Sequence, residues 1–281
     1  MGGCLLAGAP PAHAAFFFKP YLKQTFGSRS YSGTSASVDL GDALHCKPAY
    51  DSYRSDASSG TFRTYSLDAT YDREELSFTA MGGYTPTVDN YNSLYAGGRV
   101  ARGHDFKEGP IRGIDLSASL TQTVHTETIK TPAVTAGNQS IPAQTGKGHL
   151  QQTQLEGSVE VALRSLVLGL DVAKSVYDRD LPPLAARPAR GVRLAGFDHM
   201  IEGFPDLSVV ERIELDAWPD LAPYVSYTYT SFKTAAIAAA YAAGVDVFLS
   251  GLKLEASYQR YAQKGGADAD YYGLSAVMRF R

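Results

Sequence analysis

The stretch Val159-Glu160-Val161-Ala162-Leu163-Arg164-Ser165-Leu166-Val167-Leu168 decides the fold, and its pattern recurs as Val245-Asp246-Val247-Phe248-Leu249-Ser250-Gly251-Leu252-Lys253-Leu254. Apolar residues alternate with polar or small ones on both sides of a two-residue turn. Alternation with period two predicts β-strands with one apolar face. Two such strands joined by a tight turn predict an antiparallel hairpin. A soluble protein needs a second layer to cover the apolar face, whereas a lipid bilayer covers it directly.

The composition is compatible with a single membrane barrel. The chain has 281 residues, with 27 Gly, 18 Tyr, 12 Phe and one Trp, and a formal net charge of −3. This charge predicts no attraction to nucleic acid. The mean hydropathy of −0.18 is expected when the lumen and loops of a barrel are polar. No run of roughly 18 apolar residues predicts a spanning helix.

The N-terminus has the features of a secretion signal. The segment Cys4 to Ala9 is small and apolar, and Ala12-His13-Ala14 fits the small-x-small cleavage pattern. We therefore predict a signal peptide over residues 1–14, truncated at its start, and a mature β-barrel over residues 16–281; a soluble N-terminal tail is the alternative. Loss of Cys4 with the signal leaves Cys46 alone and predicts no disulfide.

Alternation predicts about twelve strands. Ten follow if the weaker segments 92–101 and 209–217 belong to loops. The predicted strands are about 18–31, 62–71, 76–84, 92–101, 114–125, 154–163, 166–172, 209–217, 221–231, 234–249, 252–262 and 271–281.

The lengths of the predicted connections differ between the two ends of this barrel. With twelve strands, the tight turns at Asp72-Arg73-Glu74, Arg164-Ser165 and Ser250-Gly251 fall on one side. The other side carries predicted loops over residues 32–60, 129–148, 178–207 and 263–270. Short periplasmic turns and long extracellular loops are typical of outer-membrane barrels.

The C-terminal segment alternates to its end and resembles the barrel-assembly signal of bacterial outer-membrane β-barrels. Its residues are Tyr272, Leu274, Ala276, Met278 and Phe280. Residues 16–281 as a whole resemble this class, without matching any single family in it. The resemblance implies an antiparallel transmembrane barrel in the outer membrane. It also implies contact with outer-membrane lipid, lipopolysaccharide and the barrel-assembly machinery.

The residues opposite the apolar faces are expected to line the lumen. Their charges are mixed, without the ladder of Arg and Lys that a pore for anions requires. The charges either pair across the lumen and fill it, or line a narrow aqueous path. The predicted lining includes Arg99, Asp115, His125, Glu156, Glu160, Asp171, Asp246, Lys253, Glu255 and Arg279.

Two further groups of residues are predicted to lie near the membrane surfaces. The long loop carries a basic cluster that either contacts lipopolysaccharide, folds into the mouth or is solvated: Arg179, Arg187, Arg190 and Arg193. Aromatic residues near predicted strand ends fit an interfacial girdle, although aromatics favour strands in any case. They are Tyr224, Tyr227, Tyr229, Tyr258, Tyr261, Tyr271, Tyr272, Phe232 and Phe280.

The sequence predicts no enzyme, no metal and no cofactor. It contains no nucleophile-elbow, zinc-protease, dinucleotide or P-loop pattern. His125 is the only histidine in a strongly alternating strand, where it faces inward as a polar filler. A nucleophile needs a positioned base and an oxyanion site, and no pattern indicates either.

These observations favour a porin-like channel for small hydrophilic solutes. The alternative is a non-conducting structural or adhesive barrel that acts through its extracellular loops. An outer-membrane enzyme acting on lipid and a soluble periplasmic β-protein are less compatible, because the strong strands keep an uninterrupted apolar face with no Ser or His on it.

Overall fold

The computed structural model describes fourteen barrel strands. It describes residues 17–28, 30–41, 44–54, 60–88, 90–131, 134–136, 139–141, 144–178, 188–189, 193–194, 197–198, 201–202, 204–233, 237–264 and 268–278. The barrel strands are β1 (Phe17–Gly27), β2 (Tyr31–Gly41), β3 (Leu44–Arg54), β4 (Phe62–Arg73), β5 (Leu76–Val88), β6 (Tyr91–Asp105), β7 (Ile111–Thr131), β8 (Gln144–Leu163), β9 (Leu166–Tyr177), β10 (Pro205–Leu215), β11 (Leu221–Phe232), β12 (Ala238–Leu249), β13 (Leu252–Gln263) and β14 (Ala269–Met278).

The strands form one closed antiparallel barrel in which each strand pairs with its neighbours in sequence. Closure is made by β1 and β14, whose register runs from Tyr21↔Val277 to Gly27↔Tyr271. A closed barrel leaves no unpaired edge, so every strand can hydrogen-bond within the sheet even in lipid. The predicted all-β antiparallel barrel is confirmed.

The outer face of the barrel is apolar, as the alternation predicted. Large hydrophobic side chains are exposed on it around the whole circumference, among them Leu22, Leu67, Leu94, Leu120, Leu155, Leu170, Val225, Leu254 and Leu274. In water such a surface is unfavourable by roughly 25 cal/mol for each Å² of apolar area. Lipid removes this cost, since acyl chains need no hydrogen bonds. No helix among the described residues is long and apolar enough to cross a membrane.

The two ends of the barrel differ in the length of their connections. One end, here the turn rim, carries the connections 42–43, 74–75, 106–110, 164–165, 216–220 and 250–251. The other end, the loop rim, includes the long connections 132–143 and 178–204. The turn at Ser250-Gly251 holds Gly251 at φ 75°, a left-handed conformation that glycine adopts without steric cost.

The predicted strand number was wrong. The structure has fourteen strands instead of twelve or ten. The segment predicted as the loop 32–60 contains β2 and β3, joined through residues 42–43 at the turn rim. The outward positions of β2 include Ser32, Thr34 and Ala36, which are too small and polar to show an apolar alternation. These strands are fixed by their neighbours, since β1 and β2 pair from Phe17↔Gly41 to Gly27↔Tyr31.

Other predicted boundaries also moved. Both weaker segments, 92–101 and 209–217, lie in barrel strands, β6 and β10, so the ten-strand alternative fails. The predicted loop 129–148 is shorter, because β7 continues to Thr131 and β8 begins at Gln144. Paired with each other, these strands form the longest hairpin of the barrel.

Candidate functional site: the lumen

A cavity of about 990 Å³ occupies the half of the lumen nearest the turn rim. The inward residues of strands β4 to β10 line it, and it reaches the rim because Glu74 and Glu75 of the β4–β5 turn are part of its wall. Its volume is that of a typical small-molecule site. The solvent-exposed carboxylates of Asp115 and Glu160 face it.

Acidic residues dominate the wall of this cavity. Eight carboxylates line it, Asp72, Glu74, Glu75, Asp105, Asp115, Glu160, Asp171 and Glu214, against three arginines, Arg99, Arg102 and Arg212. A cleft lined by one sign of charge between low-dielectric walls concentrates counter-ions. The cavity can therefore enrich cations relative to anions.

Arg99 provides the positive charge on the β6 side. Its Nη2 donates a hydrogen bond of 2.8 Å to Ser117 Oγ, and Ser117 Oγ lies 2.6 Å from Ser158 Oγ. These three side chains follow one another across β6, β7 and β8 because Ser117 pairs with Ser158 in the ladder. They turn a continuous strip of the inner wall into a hydrogen-bonding surface.

The β10–β14 side of the lumen carries a paired network of charges. Lys253 Nζ lies 2.7 Å from Asp246 Oδ2, and Arg212 Nη2 lies 2.6 Å from Glu214 Oε2 and 3.7 Å from Asp246 Oδ2. Asp246 is 1 % exposed, and a buried carboxylate requires such cations. Charges on this side are therefore largely neutralised within the wall.

Tyr224 joins this network to the next strands. Its hydroxyl donates a 2.6 Å hydrogen bond to Glu255 Oε1, and the guanidinium of Arg212 lies 3.9 Å from the ring centroid. Ser275 donates to the second oxygen of Glu255 at 3.0 Å. The carboxylate of Glu255 is thus held by hydroxyl donors on both sides.

Towards the loop rim the inward side chains are buried instead of solvated. A cluster of aromatic and small residues fills the described wall there: Tyr31, Val210, Phe232, Ala238, Ala240, Ala242, Tyr261, Ala269 and Tyr271, with Tyr53 packed against it. The rings of Tyr31 and Tyr271 meet edge to face at 5.2 Å. The lumen therefore changes along its axis from a solvated cavity to a packed layer, in which these residues lie among buried polar side chains such as Thr25, Thr230 and Gln259.

His125 belongs to a hydrogen-bonded belt near the loop rim. The hydroxyl of Tyr91 contacts its Nδ1, Gln152 Oε1 lies 2.9 Å from its Nε2, and Gln152 Nε2 donates to Ser175 Oγ at 2.9 Å. A neutral imidazole protonated on Nε2 satisfies both contacts. The belt ties β6, β7, β8 and β9 together.

Two further histidines are held by carboxylates near the turn rim. His45 lies between Asp39 Oδ1 at 2.7 Å and Asp72 Oδ2 at 3.1 Å. On the exposed rim, hydrogen bonds from His104 and Arg102 lower the pKa of Glu75. Glu75 therefore keeps its negative charge at the mouth of the cavity at neutral pH.

The structure places most of the predicted lumen residues on the inner wall. Those that line the cavity are Arg99, Asp115, Glu160 and Asp171. Asp246, Lys253 and Glu255 lie in the paired network, Glu156 faces Ser119 in the ladder, and His125 lies in the belt near the loop rim. Arg279 lies outside the described residues.

The remaining predicted groups are described only in part. Arg179, Arg187 and Arg190 lie outside the described residues, and for Arg193 the structure describes only its backbone pairing with Asp198. Tyr272, Leu274 and Met278 point outward from β14 and Ala276 shares their face, while Phe280 and the signal segment 1–14 lie outside the described residues.

The predicted aromatic girdle was wrong for four of its members. Tyr224, Tyr261, Tyr271 and Phe232 are buried inside the lumen. Outward tyrosines do lie near the loop rim, among them the predicted Tyr258 and Tyr272 and also Tyr65, Tyr84 and Tyr241. Their position fits the interface between acyl chains and headgroups.

Sequence reasoning missed several residues of the cavity. Arg212 and Glu214 lie on β10, whose alternation is interrupted by Glu211, and Asp72 and Glu74 were assigned to a turn without a role. Among the described residues, no group of three or more His, Cys, Asp or Glu side chains is arranged to hold a metal ion.

Comparison with solved structures identifies the architecture. The chain is similar to the CymD monoaromatic hydrocarbon channel, at 9 % identity over 95 % of this chain and 88 % of that one, with a TM-score of 0.56. The chain has the closed-barrel fold of bacterial outer-membrane proteins. This follows from the closed antiparallel sheet, its apolar outer face and its likeness in fold to that channel.

Other solved structures share the fold to a lesser degree. CdiB from Acinetobacter baumannii is 11 % identical over 94 % of this chain, with a TM-score of 0.51, and the chain spans 60 % of its length. A loop-deletion mutant of OmpT, an outer membrane protein of Vibrio cholerae, is 14 % identical over 94 % of this chain and 98 % of that one, with a TM-score of 0.48. No protein-family model and no curated protein matches the sequence.

Proposed function

We propose that this outer-membrane barrel is a porin-like channel for small hydrophilic solutes and that it favours cations. The observation that carries the proposal is the acid-lined cavity of about 990 Å³ that reaches the turn rim. A polar, hydrated lumen inside an apolar shell is the arrangement through which barrels pass water-soluble molecules.

The charges of the cavity support the cation preference. The excess of carboxylates over arginines on its wall lowers the energy of a cation there and raises that of an anion. On the other side of the lumen, Asp246 and Glu214 are neutralised by Lys253 and Arg212. The negative charge that is not neutralised in this way therefore comes from the β4–β9 side of the cavity.

The packed layer near the loop rim supports the restriction to small solutes. Tyr31, Phe232 and Tyr271 are each less than 9 % exposed, so they narrow the described lumen where they meet. A solute that crosses the barrel passes this layer, which sets the size limit, whereas the acidic cavity sets the charge preference.

The same layer favours one alternative, a non-conducting barrel that acts structurally or through its loops. In that case the buried aromatic residues close the lumen and the acidic cavity is a solvated recess. The two functions differ in a single measurable property, which is ionic current.

Catalysis is not part of this proposal. His45 is held between Asp39 and Asp72, and the hydroxyl of Ser77 donates to Asp72. A covalent catalyst also needs donors that stabilise the oxyanion, and we assign no such role to the described residues around Ser77. We propose no cofactor. As partners we propose lipopolysaccharide, and the assembly machinery acting on the outward face of β14.

Conductance of the purified chain in a planar bilayer tests the proposal. With a KCl gradient across the membrane, we expect discrete channel steps and a reversal potential of the sign given by K⁺ permeability. A preparation of the same detergent without protein is the control. Channel steps with anion selectivity would contradict the cation preference, and absence of current at every voltage would favour the non-conducting barrel.

A further inference from the structure

Glu211 is an acidic residue in the middle of the lipid-facing surface. It lies on a ladder of paired outward residues that runs obliquely from the turn rim to the loop rim: Leu76, Arg102, Leu116, Val159, Leu170, Glu211, Tyr227, Tyr241, Arg260 and Asp270. Leu76 begins β5 at one rim, and Asp270 is the second residue of the last strand at the other. Glu211 is sixth of the ten, about halfway between the rims.

The carboxyl group of Glu211 is exposed and makes no hydrogen bond or ion pair with any described residue. The other charged residues that face outward from the described strands lie near a rim. Lys174 binds Asp206 at 2.8 Å, Arg260 binds Asp268 at 2.8 Å and Arg102 lies 3.2 Å from Glu75. An ionisable group within the bilayer is unfavourable unless a polar group covers it.

The neighbours of Glu211 form a patch with a hydrogen-bond donor at its centre. Tyr227 is its ladder partner on β11, and the Tyr227 ring packs against that of Tyr241 at 5.1 Å. Below them, Ile213 and Val225 pair with each other and are about half exposed. The patch thus contains a hydrogen-bond acceptor on β10 (Glu211), a hydroxyl donor on β11 (Tyr227) and an adjacent apolar pair (Ile213 and Val225).

We propose that β10 and β11 form the interface of a symmetric dimer with a second copy of this chain. In it, Glu211 of each subunit accepts a hydrogen bond from the partner's Tyr227. The two-fold axis stands along the membrane normal between β10 and β11.

Symmetry makes one patch complementary to itself. A two-fold rotation reverses the lateral order of the two strands, so β10 of one subunit faces β11 of the other. Acceptor then meets donor twice across the axis, while Ile213 of each copy packs against Val225 of the other. Acyl chains have no hydrogen-bond donor, so lipid can cover the apolar pair Ile213 and Val225 but leaves the carboxyl group of Glu211 without a hydrogen bond.

The first test measures association of the full chain in detergent by sedimentation over a range of protein concentrations. We expect Glu211→Ala and Tyr227→Phe each to raise the dimer dissociation constant roughly tenfold or more, since hydrogen bonds to charged groups are the stronger kind. The double variant should lose little beyond either single one, because both remove the same interaction. Tyr65→Phe, on an outward tyrosine of β4, is the control and should associate like wild type.

The second test locates the axis by cross-linking. In a Cys4→Ala, Cys46→Ala background, chains carrying Ile213→Cys and chains carrying Val225→Cys should form an intermolecular disulfide when expressed together in native membranes, because the two-fold rotation places Ile213 of one copy against Val225 of the other. Leu67→Cys, on an outward position of β4, should not. The wild-type chain supplies a second control, since its exposed Cys46 lies on β3, far around the barrel from β10.

Either of two results overturns the proposal. One is a chain that remains monomeric at every concentration both in detergent and in membranes. The other is a Glu211→Leu variant that unfolds at higher temperature yet associates like wild type, which identifies lipid as the neighbour of this face. Both results are independent of conductance, so they leave the channel proposal standing.

Discussion

The ring of Tyr224 occupies the space that a side chain at Gly244 would need. A Cβ atom on Gly244 would lie 2.5 Å from Tyr224 Cζ. The two residues are direct ladder partners on β11 and β12. The glycine lets the ring lie against the wall, where its hydroxyl reaches Glu255 and its face meets Arg212. Because Gly244 has no side chain, the Tyr224 ring can take the position in which it contacts Glu255 and Arg212.

Replacing Gly244 by alanine should therefore destabilise the barrel. The added methyl group displaces the Tyr224 ring and breaks its hydrogen bond to Glu255, and overpacking of this kind costs about 1–3 kcal/mol. The measurement is the temperature at which the folded, faster-migrating form is lost on gels. Gly157→Ala is the matched control, because its Cβ would meet only Ser117 O at 3.9 Å. Equal shifts for the two variants would contradict this role of Tyr224.

The acidic wall predicts the ion selectivity of the channel. Replacing Glu160 and Asp171 by Gln and Asn removes two negative charges from the cavity without removing hydrogen-bond acceptors. The reversal potential in a KCl gradient should move towards that of Cl⁻, and Glu156→Gln combined with Glu160→Gln should move it in the same direction. Glu108→Gln, in the turn 106–110 outside the cavity wall, should leave it nearly unchanged. An unchanged reversal potential in both double variants would show that ions take another path.

The aromatic layer near the loop rim predicts where conductance is limited. Tyr271 is 8 % exposed and faces the lumen, whereas its neighbour Tyr272 is 57 % exposed and faces lipid. We expect Tyr271→Ala to increase single-channel conductance because it removes a ring from the packed layer. Tyr272→Ala removes the same number of atoms and should leave conductance at the wild-type value. Equal conductance in the two variants would mean that the limiting section lies elsewhere.

The sequence predicted the architecture because most strands carry one apolar face towards lipid. β8, β9, β12 and β13 have large alternating side chains, and the turns of their two hairpins were predicted correctly, although the outer ends of β8, β9 and β12 lie four to ten residues from the predicted bounds. β2 and β3 were missed because many of their outward residues are small, hydroxylated or proline, as with Thr34 and Pro48, and interrupt the apolar alternation. Thr34 instead donates a 2.7 Å hydrogen bond to Gln24 on β1. When a polar outward side chain is hydrogen-bonded to the neighbouring strand, its own strand lacks the apolar alternation by which strands were predicted.

The lumen was predictable only in part for a related reason. Alternation tells which residues face inward but not how far along the axis they lie or what they meet. Glu160 and Asp246 both face inward in equivalent hairpins, yet Glu160 lines the cavity and Asp246 is buried against Lys253. Asp246 also meets Arg212 of β10 at 3.7 Å, a contact between strands distant in sequence that no local pattern encodes.

The two faces of the β8–β9 hairpin predict opposite tolerance to charge. Leu168 is exposed on the outer surface, whereas Ser158 Oγ hydrogen-bonds to Ser117 Oγ within the lumen. Arginine on the lipid face near the bilayer midplane costs roughly 2–4 kcal/mol and less towards the interfaces. We therefore expect Leu168→Arg, and likewise Val247→Arg in the second hairpin, to reduce the yield of folded barrel in membranes. Ser158→Arg and the lumenal Ser257→Arg should assemble better, because water reaches the inner wall.

The measurement is the fraction of heat-modifiable protein recovered from the outer-membrane fraction, with wild type set as the reference. An equal loss of folded protein in all four variants would mean that the inward and outward faces do not differ in their exposure to water. That result would contradict a hydrated lumen.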